Sequence, residues 1–229
     1  MTDQVDAIFL DTETTQRKST PEIPIEVMEL AWRDHRDRAC SFSERYRPIK
    51  APAWGAMAVH GITMQDVLNC PPSAVALLDI PKATYWIGHN IDFDWDALGR
   101  PPVKRICTLA LARSVFPELD SHTLTTVYFY VNGINSATRE AIRNAHSALH
   151  DVDFCINIFD AICAKLNTHD LQELHEMSEE ARIPKIMTFG KFKDQPISAV
   201  DRGYAAWYAR QDDPDPYVLV AFRRQGLIR

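Results

Sequence analysis

No apolar run in this chain of 229 residues approaches the roughly 18–20 residues needed to cross a bilayer. The opening segment MTDQVDAIFLDTET contains neither a basic leader nor a cleavable apolar stretch. A protein without membrane association, in the cytoplasm, is therefore expected. Cysteine is sparse and unpatterned: Cys40, Cys70, Cys107, Cys155 and Cys163 are odd in number, widely separated and form no C-x-x-C. That spacing argues against a disulfide framework or a structural zinc and leaves them as reduced packing residues. The chain has no internal repeat and no low-complexity tract. It also lacks a cationic excess. With 25 Lys and Arg against 31 Asp and Glu, the formal charge is −6, at first sight a poor match to nucleic acid, whose phosphates are neutralised by Lys and Arg.

What is present is an ordinary globular composition. Hydrophobic residues make up 46% and charged residues 24%, enough to bury a sizeable core and too balanced for a disordered chain or a coiled coil. The mean charge hides a split. Residues 182–229 hold nine basic and five acidic side chains, a net of +4, leaving −10 on the remainder. Such a division fits either a charge-concentrating active site beside a basic contact surface or two ordinary solvated faces.

Patterning predicts strands at residues 5–10, 25–32 and 39–46, then helical segments at 52–59, 64–68 and 73–78, and a further strand at 84–87. A helix is expected from 94 to 98, stopped by Gly99, Pro101 and Pro102. Others follow at 109–116, 124–131 and 137–145. The clearest is 147–166, where Val152, Cys155, Ile156, Phe159, Ile162 and Cys163 recur at helical intervals. Strands first and helices later suggest a mixed α/β architecture. The best boundary lies at 182–188, where the charge changes sign after the helical pattern of 170–181.

Three acidic elements carry chemistry. Asp11-Thr12-Glu13 ends the first predicted strand, and alternate strand residues project to one face roughly 6–7 Å apart, so two carboxylates can share a site. Alone, D-x-E is a weak signal, and a solvated strand end explains it equally well. Gly88-His89-Asn90-Ile91-Asp92-Phe93-Asp94 leaves a second strand, with Asp96 close behind. On a helix Asp92 and Asp96 share a face and Asp94 points away, so spacing does not choose among the three. In His146-Ser147-Ala148-Leu149-His150-Asp151, Ser147 suits an N-cap, with His146 on the preceding loop and Asp151 in the first turns.

The ordered set D-x-E, H-N-x-x-F-D and H-x-A-x-x-D resembles the DEDDh group of DnaQ-like 3′→5′ exonucleases, with all five signature residues present. Residues 58–63 (AVHGIT) and 108–113 (TLALAR) also resemble segments of that family. The resemblance covers roughly residues 5–166. Farther on, TFGKFKDQPI at 188–197 resembles the small C-terminal module of the exonuclease X subgroup. The resemblance implies an RNase H-like mixed β-sheet flanked by helices over residues 1–181 and a small basic, aromatic-rich module over 182–229. It implies that Asp11, Glu13, Asp94 and Asp151 hold two divalent ions, Mg²⁺ or Mn²⁺, with Asp11 bridging. Asp94 is preferred to Asp92 and Asp96 because it follows Phe93 in the family phrase. His146 becomes the general base that takes a proton from the attacking water, with His150 as the alternative.

The implied reaction is hydrolysis of terminal phosphodiester bonds at DNA 3′ ends, releasing nucleoside 5′-monophosphates. An exoribonuclease, or a polymerase-associated proofreading or binding subunit, stays open as an alternative, because the 2′-hydroxyl is sensed by pocket geometry rather than by metal ligands. By resemblance His60 touches the terminal nucleotide, and Thr12 offers its backbone N–H to the terminal sugar; a structural turn role is an equal alternative for both. In the C-terminal segment Phe189, Phe192, Tyr204, Trp207, Tyr208, Tyr217 and Phe222 either stack bases or, for most of them, build the module's own core. Lys191 and Lys193 are the candidates for phosphate contact, holding nucleic acid upstream of the scissile end.

Overall fold

The structure, a computed structural model, describes residues 5–17, 24–144 and 147–229. Five strands form one mixed sheet: β1 (Val5–Thr14), β2 (Val27–Asp34), β3 (Ser41–Arg45), β4 (Ala83–Gly88) and β5 (Lys104–Cys107), in the order β3-β2-β1-β4-β5. β1 pairs antiparallel with β2 and parallel with β4, while β3 and β5 extend the two wings. A strand at the centre of a sheet covered on both faces needs apolar side chains on both. Ala7, Ile8, Phe9 and Leu10 supply them and are almost completely inaccessible.

Helices α1 (Trp54–His60) and α2 (Met64–Val67) and a 3-10 helix (Ser73–Asp79) lie between β3 and β4. α3 (Ile91–Ala97) follows β4 and α4 (Thr108–Val115) follows β5. Then come α5 (Leu124–Asn132), α6 (Ser136–Asn144), α7 (Ala148–Leu166) and α8 (Leu171–Arg182). The main core joins Ala7 and Phe9 of β1, Tyr85 and Ile87 of β4 and Ile106 of β5 to Val152, Cys155, Phe159 and Ile162 of α7. Phe9 and Phe159 meet edge to face at 5.3 Å between centroids.

Strand alternation then fixes the site. Ala7 and Phe9 face α7, so Asp11 and Glu13 continue the same face beyond the edge of the core. Asp11 pairs in register with Ala31 and Glu13 with Glu29 on β2, and Arg33 farther along β2 reaches Asp153 of α7 at 2.6 Å.

The expected mixed sheet flanked by helices is present, with local differences. β1 runs four residues past Leu10 because its polar end still pairs with β2. α3 starts at Ile91 rather than at residue 94, after Asn90 adopts a left-handed conformation (φ 74°), and residues 73–79 form a 3-10 helix. β5 answers to no expectation. Among the described residues it is an edge strand paired only with β4, and its cations lie over aromatic rings, Lys104 over Tyr85 at 5.3 Å and Arg105 over Trp95 at 3.7 Å. Four residues beginning Lys-Arg carry no apolar alternation from which to read a strand.

The chain divides into two compact units, residues 1–178 and 179–229. The second has its own core of Met187, Phe192, Ile197, Val200, Ala205, Val218, Ala221 and Phe222. Phe189, Tyr204 and Tyr208 pack against it, so most of these aromatics are structural, while Trp207 is half exposed. Its helices α9 (Arg202–Tyr208) and α10 (Pro216–Arg224) are N-capped by Asp201 and Asp215. Gly190 sits at φ +70°, where a Cβ would lie 2.1 Å from the Tyr204 hydroxyl, so this turn admits no side chain without moving Tyr204.

Candidate active site

Asp11 and Glu13 leave β1 on the face covered by α7, whose first turns carry Asp151. One carboxylate oxygen from each of the three lies within 4.8 Å of the other two, and all three side chains are half-buried. Asp94 on α3 is buried, and its Oδ1 accepts hydrogen bonds from the Thr12 N–H (2.9 Å) and the Thr12 hydroxyl (2.7 Å). It is also the strongest neighbouring charge acting on Asp11. The three acids of α3 are thus separated by their partners. Asp92 pairs with Arg105 at 2.6 Å and Asp96 with Arg100 at 2.5 Å, while Asp94 turns inward to β1.

Gathering these carboxylates raises the cost of ionising them. Burial, and then the charges of Asp94, Asp151, Glu13 and Glu29, push Asp11 well above the usual carboxylate range. Burial first, with Asp151 next, lifts Glu13 to about 8. Asp94 rises to about 7 because burial outweighs its two bonds from Thr12. Clustered acids with raised pKa values mark a site that binds a cation or works on protons. An all-oxygen donor set of carboxylates suits hard divalent cations such as Mg²⁺ or Mn²⁺.

The remaining expected residues are placed as follows. The Thr12 N–H donates to Asp94 where β1 and α3 meet, a structural role of the kind left open for it. His60 is buried, with the Ile62 N–H donating to Nδ1 at 2.9 Å. Nε2 therefore carries the proton and donates to the Thr14 carbonyl at 3.2 Å, so both ring nitrogens are engaged by the chain itself. His150 is exposed, with Nδ1 2.9 Å from the Ser147 hydroxyl. Ser147 stands at the N-cap of α7, yet its side chain makes no capping bond. His146 lies outside the described residues. Lys191 and Lys193 are exposed in the second unit, Lys191 pairing with Asp201 at 3.3 Å.

Sequence reasoning missed Glu29. It is buried in β2, opposite Glu13, and its charge raises both Asp11 and Glu13. An acid inside the otherwise buried run Val27–Ala31 was the available signal, since a buried charge needs a partner.

No family model matches the sequence. The chain is 25% identical over 170 residues to Exodeoxyribonuclease 10 of Escherichia coli strain K12, covering 72% of this chain and 74% of that protein. Its fold is similar to that of exonuclease X in complex with 5′-overhanging duplex DNA, with a TM-score of 0.62 and 20% identity, covering 75% of this chain and 99% of the other. It is also similar to E. coli exonuclease I in complex with a dA16 oligonucleotide, with a TM-score of 0.53 and 20% identity, over 80% of this chain and 44% of that one. The sheet and its flanking helices are RNase H-like. This homology and the shared fold support a DnaQ-like 3′→5′ exonuclease. Within that class it resembles the exonuclease X subgroup.

The raised carboxylates dictate a pH dependence. In the unfolded chain they titrate near pH 4; in the native site Asp94 and Glu13 hold their protons to about 7 and 8. Their contribution to stability is therefore fully present below about pH 4 and is lost as pH rises through the native values. Burial lowers the pKa of His35, His60 and His89, and these act in the opposite sense below about pH 6.5. Between pH 6.5 and 8.5, chelated protein should lose stability in urea titrations. Saturating Mn²⁺ should abolish that loss, and Asp11→Asn should make the chelated protein more stable at pH 8. A flat profile that ignores Mn²⁺ contradicts a converged carboxylate site.

Proposed function

We propose that this chain is a metal-dependent exodeoxyribonuclease that removes nucleoside 5′-monophosphates from DNA 3′ ends. The observation that carries the reading is the convergence of Asp11, Glu13 and Asp151 within 4.8 Å, with Asp94 acting on the same group. DNA is favoured over RNA by the relative named as an exodeoxyribonuclease and by fold neighbours bound to DNA. Asp11, Glu13, Asp94 and Asp151 would hold two divalent ions. Bound there, such ions lower the pKa of the attacking water and neutralise charge on the leaving oxygen.

The chain's own groups divide the rest of the work. Thr12 orients Asp94 through two hydrogen bonds to one oxygen, holding a ligand from α3 against the strand that supplies two others. His146 is the general base in this reading, its imidazole taking the proton released by the attacking water. His150 is the weaker candidate because its Nδ1 is tied to Ser147. His60, with both nitrogens engaged, supports the end of β1 through the Thr14 carbonyl and meets a terminal nucleotide by ring contact at most. Lys191 and Lys193 supply phosphate contacts from the C-terminal unit.

Degradation of 3′-labelled and 5′-labelled single-stranded DNA and RNA, with and without Mg²⁺, tests the reading directly. Early release of the 3′ label as mononucleotide from DNA, only with metal, is expected, and Asp11→Ala or Asp151→Ala should abolish it. Full activity after thorough chelation would overturn it. His146→Ala should slow turnover by roughly 10²–10⁴-fold, with Mn²⁺ binding retained, whereas His150→Ala should have a small effect; the reverse order would reassign the base.

A third measurement addresses the lysines. In an Asp11→Ala background, Lys191→Glu with Lys193→Glu should weaken DNA binding. It should also flatten the salt dependence by about 0.7 per lost contact on single strands and about 0.9 on duplex. An unchanged slope removes these lysines from the nucleic-acid interface.

A further inference from the structure

Glu29 is the one buried carboxylate beside the site, among the described residues, that the proposed chemistry does not use. It stands in the middle of a row across the sheet: Glu13 on β1 pairs in register with Glu29 on β2, which pairs in register with Arg45 on β3. Cross-strand partners in register share a face and stand about 4.5–5.5 Å apart at Cβ, so Glu29 places a further negative charge next to Glu13. Its side chain is only 7% exposed. A position that adds repulsion to an already crowded site calls for compensation, and its contacts supply it.

Glu29 Oε2 accepts a hydrogen bond from the Ala148 N–H at 3.0 Å, a buried contact between residues far apart in sequence. Glu29 Oε1 lies 3.5 Å from Arg45 Nε. Ala148 is the first residue of α7, where backbone N–H groups have no acceptor within the helix and the helix dipole favours an anion. The residue that would ordinarily cap this end, Ser147, makes no capping bond and has its hydroxyl beside His150. The missing local cap is therefore replaced by a carboxylate reaching from β2. The turn so held is the one that carries Asp151, whose own N–H donates to the Ser147 carbonyl at 3.2 Å.

Resting on the exonuclease reading above, we propose that Glu29 is a positioning residue: it clamps the first turn of α7 to β2 and so holds Asp151 in register with Asp11 and Glu13. It is not itself a metal ligand, since one oxygen serves Ala148 and the other faces Arg45. Arg45 offsets the charge that this arrangement places beside Glu13.

The test uses the whole 229-residue chain with three substitutions. Glu29→Ala removes the acceptor. Glu29→Asp keeps the charge but withdraws it by one methylene. Glu29→Gln keeps an acceptor of the same reach without the charge. Amide exchange at Ala148 and Asp151, and Mn²⁺ binding followed by electron paramagnetic resonance without DNA, with Asp11→Ala as the baseline, are the readouts. Glu29→Ala and Glu29→Asp should both speed exchange in the first turn of α7 and weaken Mn²⁺ binding about 10-fold or more, the usual effect of losing support behind a ligand. Glu29→Gln should restore slow exchange and keep Mn²⁺ affinity within about 3-fold of wild type, a small fraction of that loss. In DNA degradation the loss should fall on kcat rather than on KM.

If Glu29→Ala does not fold, Glu29→Asp carries the same comparison. Unchanged exchange and Mn²⁺ affinity in Glu29→Asp would overturn the proposal. So would Glu29→Gln losing Mn²⁺ as completely as Asp11→Ala while exchange stays slow, because that pattern belongs to a ligand. Exchange and Mn²⁺ binding are read without substrate, so a wild-type protein inactive on DNA would defeat the exonuclease reading and leave the clamp standing. An active wild type with unaltered variants would do the opposite.

Discussion

Like-charge repulsion among the carboxylates at the end of β1 is the constraint to which the surrounding structure answers. Acids brought within 4.8 Å and partly removed from water oppose their own ionisation. The central strand that delivers two of them is held on both sides by β2 and β4, so it cannot drift to relieve the strain. Neighbouring polar groups dispose of the remaining charge one by one. Thr12 takes Asp94 with two donors, Arg105 and Arg100 take Asp92 and Asp96 to the outside of α3, and the start of α7 takes Glu29.

This division of labour explains what could be read from the sequence. Asp11 and Glu13 were legible because a strand's two-residue period puts them on one face whatever the rest of the fold does. Asp151 was legible through the long amphipathic pattern of α7, which fixes its place in the first turns. The choice of Asp94 over Asp92 and Asp96 was not available from spacing, because it depends on Arg105, Arg100 and Thr12, which reach α3 from other elements or from beyond its end. Glu29 was hidden for a similar reason. Its meaning lies in a register with Glu13 and a bond to Ala148 that only the assembled sheet and helix create. β5 escaped because its first two residues are cations and only Ile106 and Cys107 are buried, too short an apolar stretch to show alternation.

The basic C-terminal unit shows how a net charge can be tied up locally. Arg182 pairs with Glu179, Lys191 with Asp201 and Arg224 with Glu180, all within residues 179–229. For Lys191 and Arg224, exposed pairs of this kind contribute little stability and are screened by salt. On the proposed reading, a phosphate displacing such a partner would meet a cation already oriented at the surface, and the acid released would return to water at small cost.

The separation in sequence between the two acids of β1 and Asp151 has a consequence in time. β1 is synthesised before α7, which follows only after the whole sheet and most of the flanking helices. Long-range closure of this kind must await the distant partner. A growing chain therefore carries half of the carboxylate set on a strand whose covering helix does not yet exist, and the full charge cluster arises only as α7 docks on the sheet. On the exonuclease reading, hydrolytic capacity would be absent from the chain until α7 has docked.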